Sequence, residues 1–137
     1  MAQLFLVRRM IARLFLIAIV LLVPIVCNAS EETEIKAAME QARHPKGDFK
    51  AALDYRMAGL NILGERLDRA LGTCTTNRKI PLSFDIVVFI SASGRVDRIL
   101  YAPKSAFGAC VAREFKSLHF PPPKYPPYVL PLKLTKN

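Results

Sequence analysis

SFDIVVFISASGRVDRILYA, residues 83–102, decides the fold. Phe84, Ile86, Val88 and Ile90 recur at every second position, with Asp85, Val87, Phe89 and Ser91 between them. A period of two sends successive side chains to opposite faces of an extended chain, so this run is a strand. Ser91-Ala92-Ser93-Gly94 supplies turn chemistry, and residues 95–102 return as a second strand with mixed faces. A loop this short joins the two strands as an antiparallel hairpin and fixes their register.

On the C-terminal side, Pro103 ends the hairpin and Ser105 offers a hydroxyl cap to a helix. Phe107, Cys110, Val111, Phe115 and Leu118 form its apolar stripe. The run Pro121-Pro122-Pro123-Lys124-Tyr125-Pro126-Pro127 reads as a rigid extended crossing. Residues 128–135 then alternate Val129, Pro131 and Lys133 against Leu130, Leu132 and Leu134, which is a last strand. Pro131 has no N–H for a ladder, so that strand belongs at a sheet edge.

On the N-terminal side the period is helical. Ser30 before Glu31 and Glu32 is a hydroxyl cap followed by acids in the positive first turn. Ile35, Ala38, Met39 and Ala42 follow at helical spacing, and His44-Pro45-Lys46-Gly47 breaks the segment. Asp48 caps a second, longer helix. Its predicted core stripe is Leu53, Met57, Leu60, Gly64, Leu67 and Leu71, its polar face Asp54, Arg56, Glu65, Arg66, Asp68 and Arg69, and its end Gly72. The order helix, helix, strand, strand, helix, strand predicts an α+β domain whose small antiparallel sheet is covered by helices on one side.

The first residues carry the three zones of an export signal. Arg8, Arg9 and Arg13 form a basic start, residues 14–26 are apolar, and Cys27-Asn28-Ala29 places a cut between Ala29 and Ser30. An uncleaved anchor is the alternative. It needs roughly 20 apolar residues, which requires absorbing Arg13 and leaves Pro24 inside the span. The expected organisation is a signal peptide at 1–29, a helical segment at 30–72 and a ββαβ domain at 73–137, located in the periplasm.

Twenty Lys and Arg side chains face 11 Asp and Glu, a net charge of +9. The excess is dispersed, without the aromatic interleaving of a nucleic-acid site, and favours acidic partners only in a general way. Of three cysteines, Cys27 leaves with the leader; Cys74 and Cys110 remain and read as one disulfide in an exported small domain. A metal site on those thiols needs more ligands than His44 and His119 supply, so neither metal nor cofactor is expected.

No nucleophile elbow, phosphate loop, dinucleotide or zinc-helix motif is present. Asp85 and Asp97 on neighbouring strands form a possible carboxylate pair, but Arg95 and Arg98 beside them favour surface ion pairs. The aromatics Phe115, Phe120, Tyr125 and Tyr128 surround the prolines. They read either as a peptide-binding patch or as a cover over the open end of a small core.

The segment from Cys74 onward carries, in order, a cysteine ending a helix, the strand and turn SFDIVVFISASG, and Arg95-Val96. Gly108-Ala109-Cys110-Val111, Phe120-Pro121-Pro122-Pro123 and Leu130-Pro131-Leu132 follow. In this it resembles the C-terminal domain of TonB-type proteins, above all the cysteine-containing relatives among gliding-motility proteins. The resemblance implies a hairpin, a crossing helix and a third strand, with the two cysteines tying the preceding helix to the crossing helix. It also implies a non-enzymatic role: such domains bind envelope proteins, often by offering a sheet edge to an extended segment. Energy transducers of this type add an anchor and a long proline-rich spacer, whereas two helices occupy that place here, so the resemblance bears on fold more than on force transmission. The expected function is a periplasmic protein-binding module contacting an envelope protein through Tyr125, Tyr128, Leu130 and Leu132. The alternatives are a small immunity or inhibitor protein against a secreted toxin or hydrolase, and a hydrolase of anionic envelope polymers.

Overall fold

A computed structural model describes residues 31–76 and 79–135. The chain divides into two units, Met1–Thr33 and Glu34–Asn137, and the architecture that follows is that of the second. The leader, the cut between Ala29 and Ser30, and the Ser30 cap lie outside the described residues.

The elements in order are α1 (31–43), α2 (Phe49–Cys74), β1 (Ser83–Ile90), β2 (Val96–Ala102), α3 (Ala106–Lys116) and β3 (Tyr128–Thr135). Of the three predicted caps, the two on described residues, Asp48 and Ser105, both form. The Asp48 carboxylate accepts from the N–H groups of Lys50 and Ala51 at 3.2 and 3.3 Å, and Ser105 Oγ accepts from Gly108 N at 3.0 Å. These bonds satisfy first-turn donors that have no partner inside the helix. Gly72 does not end α2, which continues to Cys74. There the Thr75 N–H and hydroxyl both donate to Leu71 O, at 3.1 and 2.6 Å, and close the last turn without a left-handed glycine.

The three strands form an antiparallel sheet in the order β2-β1-β3, so Pro131 does lie on an edge strand. Val88 opposes Ile99 on one side and Leu130 on the other. At the hairpin turn Gly94 has φ +79° and donates its N–H to Ser91 O at 3.0 Å. A Cβ there would stand 1.9 Å from Phe120 O. Phe120 N donates to Gly94 O at 2.8 Å. The chain leaving α3 thus crosses directly over this turn, and only glycine fits beneath it.

Phe84, Ile86, Val88 and Ile90 are buried on one face of β1, as their period requires. They pack with Leu63 and Ala70 of α2, with Phe107, Val111 and Phe115 of α3, and with Leu130 of β3. The opposite face is covered as well, a correction to the one-sided sheet expected from sequence. Val87, Leu100 and Val129 pack against Ile35 and Ala38 of α1. The physical reason is visible in β1, where Val87 and Phe89 make the second face apolar and give α1 something to bury.

Cys74 at the end of α2 and Cys110 within α3 form a disulfide, 36 residues apart in sequence, with Cα atoms 5.7 Å apart and both residues buried. This bond helps set how α2 is turned. Gly59, Leu63, Ala70 and Cys74 face the core, roughly one residue's step (about 100°) from the predicted stripe. Leu53 and Met57 are consequently 45% and 53% exposed, next to Phe49 at 66%. Two more contacts hold this rotation. A Cβ on Gly59 would lie 2.9 Å from a Leu130 methyl, and Arg66, predicted on the polar face, donates from Nε to Glu114 O at 3.2 Å and from Nη2 to Ser117 Oγ at 2.7 Å. The guanidinium thereby meets the negative C-terminal end of α3.

Candidate binding cleft

Where the proline-rich crossing meets the turn between α1 and α2, the chain leaves a cleft of about 200 Å³. One wall is the turn, with His44, Pro45 and Lys46, and the first turns of α2 add Ala51, Ala52 and Tyr55. The other wall is Pro122, Lys124, Tyr125 and Pro127, leading into Tyr128 and Val129. Gly47 holds φ +81°, a conformation that L side chains rarely adopt. A Cβ at Gly47 would fall 2.1 Å from the Tyr125 ring, so the ring lies flush on the turn backbone. Loop chemistry at one point in the sequence therefore fixes an aromatic wall nearly eighty residues later.

Tyr55 and Tyr128 are locked in place. Their ring centroids are 4.5 Å apart at 58°. The Tyr55 hydroxyl donates to Pro121 O at 2.7 Å and the Tyr128 hydroxyl to Ala52 O at 3.1 Å. Each bond ties α2 to the proline-rich crossing or to β3. Burial pushes the Tyr55 pKa up to about 12, assisted by its neighbour Tyr128. Burial raises the Tyr128 pKa too, against an opposing pull from Arg56. Both phenols are therefore neutral donors throughout the physiological range. The cations at the cleft are Lys46 and Lys124, with His44 beside them; among the described residues no Asp or Glu lines it. His44 Nε2 lies 3.3 Å from Glu40 Oε1, which sits outside the lining. Lys124 Nζ is 5.5 Å from the Tyr125 ring centre.

The other residues singled out from sequence are scattered. The Leu130 side chain is fully buried beneath Gly59 and does not line the cleft. Leu132 is half-buried and packs against the same core. Phe115 and Phe120 are also core residues, so of the four aromatics only Tyr125 and Tyr128 reach the cleft. Asp85 and Asp97 do not meet. Asp85 opposes Ala102 at one end of the hairpin and lies 3.9 Å from Lys133 Nζ, while Asp97 follows Val96 at the other end. Arg98 pairs with Glu34 and lies 4.4 Å over the Phe89 ring. His119 makes a backbone bridge to Arg95, and the described residues contain no group of three or more His, Cys, Asp or Glu placed to hold a metal ion. No described helix is long and apolar enough to cross a membrane.

Sequence reading missed Tyr55, Lys46 and Gly47 as parts of the cleft. Tyr55 was hidden by the choice of helix face, since it lies with Gly59 and Leu63 rather than on the Leu53–Met57 stripe. Gly47 did carry a signal, a glycine after a proline in a helix-breaking turn, but its aromatic partner is visible only in three dimensions. Comparison of the chain with protein-family models, with curated proteins and with solved structures gave no match in any of the three.

Proposed function

We propose that this chain is an exported, periplasmic, non-enzymatic binding module of TonB C-terminal-like arrangement, which holds an extended segment of another envelope protein at the cleft where β3 begins. The observation that carries the reading is the preformed aromatic and proline cleft, with Tyr55 and Tyr128 pinned by hydrogen bonds to backbone carbonyls across the domain. A site whose walls are already ordered loses little conformational entropy when a peptide enters it. β3 adds to this, because as the last strand in the order β2-β1-β3 it has, among the described residues, a strand neighbour on one side only. A peptide leaving the cleft can follow such an edge by main-chain hydrogen bonding. The buried disulfide supports an oxidising compartment.

The test is affinity capture from envelope extracts on the immobilised, oxidised full chain, alongside a Tyr125→Ala chain. A protein retained by the wild type and depleted on the variant is expected. No protein above background removes the binding-module reading, and equal retention on both chains removes the cleft as its site.

A further inference from the structure

Resting on that reading, we infer that the segment taken by the cleft is acidic: an extended peptide that places an apolar side chain, proline or aromatic, between the tyrosines and sets carboxylates against Lys46 and Lys124. Three features of the lining converge on this class. Its charge is one-signed, with Lys46 and Lys124 and no carboxylate among the lining residues. Of the acids flanking the α1–α2 turn, Glu40 is engaged by Arg43 at 3.1 Å and by His44, and the Asp48 carboxylate accepts from the first-turn N–H groups of Lys50 and Ala51. Both lysines are exposed, and a lysine acts as a compact point charge suited to a single carboxylate.

Between the cations the surface is uncharged. The Tyr55 and Tyr128 hydroxyls are already spent on Pro121 O and Ala52 O, so what they turn toward the cleft is ring rather than donor. Pro45, Pro122 and Pro127 extend that apolar surface. A uniformly charged polymer has nothing to set against the tyrosine and proline faces, whereas a peptide alternating acidic with apolar residues fits both parts. Size points the same way. At about 200 Å³ the cleft is smaller than the roughly 300–1,000 Å³ typical of whole small-molecule sites, which suits the anchoring of a side chain or two while the peptide backbone stays outside.

The experiment is selection of a random twelve-residue peptide display library on the immobilised, oxidised full chain. Enriched peptides are then synthesised with a fluorophore and titrated by anisotropy. Enriched sequences should carry Asp or Glu next to Pro, Tyr, Phe or Leu. Replacement of their acids by Gln or Asn, and the double variant Lys46→Glu/Lys124→Glu, should each weaken binding by about tenfold, since charges at the rim of a site contribute modestly. Raised salt should weaken it in the same direction. Because both lysines are exposed, far-UV circular dichroism of the double variant should be unchanged. Enrichment of sequences without acids, or unchanged affinity for the double variant, overturns the inference. A library that yields nothing overturns it as well; if envelope capture still retains a Tyr125-dependent protein, the binding-module reading survives alone.

Discussion

Replacing Gly47 by alanine tests whether the cleft wall is built as described, through two separable costs. The first is conformational. Alanine held at φ +81° pays about 1–2 kcal/mol for a left-handed backbone. The second is steric, because the new methyl lies 2.1 Å from the Tyr125 ring and the ring must move off the turn. Tyr125 is 40% exposed, so most of its surface is covered in the native state. Complete loss of that cover costs at most about 3 kcal/mol, taking an aromatic side chain at about 200 Å² and 25 cal/mol per Å². Gly47→Ala alone should therefore destabilise by about 2–4 kcal/mol. In a Tyr125→Ala background only the backbone cost of about 1–2 kcal/mol should remain. The double variant should then be more stable than the sum of the singles predicts, with a coupling of about 1 kcal/mol or more. Gly47→Asn separates the causes further, since asparagine tolerates the left-handed region but carries the same Cβ. Urea unfolding followed by far-UV circular dichroism is the suitable assay, because the chain has no tryptophan. Additivity of the two single changes to within about 0.5 kcal/mol would refute the contact between ring and turn.

Removing the disulfide by Cys74→Ala/Cys110→Ala should cost about 4 kcal/mol in the chain-entropy relation for a 36-residue separation, read as a lower urea midpoint; an unchanged midpoint would mean that the bond is not formed. Leu130→Ala should cost about 2–5 kcal/mol as a cavity in the core, whereas a value near zero would return Leu130 to the surface. Of the four tyrosines, Tyr55 should ionise near pH 12 and Tyr128 above the ordinary value of 10 in a spectrophotometric titration. Because these folded-state values are raised, the stability they contribute is complete below about pH 10 and is lost at higher pH, for Tyr55 as pH rises through about 12. A single tyrosine transition at pH 10 in the folded protein would contradict their burial.

The hairpin, both helix caps and the last strand were legible in the sequence because each is encoded locally. Period-two apolar residues mark β1, and Asp48 and Ser105 stand where first-turn donors need partners. The rotation of α2 was not legible. Its exposed face carries Phe49, Leu53 and Met57, while its buried face includes Ala70 and Gly59, and the small size of Gly59 lets Leu130 of β3 approach. Pattern reading weights large apolar residues, so it found Leu60, Leu67 and Leu71, which pack at the margin of the core, but centred the stripe one step away from Gly59, Leu63 and Ala70. The second sheet face was readable in Val87 and Phe89, yet nothing local says that α1 returns to cover it. The site divides in the same way. Tyr125 and Tyr128 were found by their proline neighbours, whereas Tyr55 and Lys46 join them only through tertiary packing.

The most direct measurement of the binding claim is site-specific photo-crosslinking in intact cells. A benzophenone amino acid replaces Tyr125 at the cleft, or Ala109 on the exposed side of α3 as the control. The account predicts a protein adduct from position 125 that is weak or missing from position 109, with the partner's crosslinked peptide rich in Asp or Glu. No adduct at 125, or the same adduct from both positions, would contradict it.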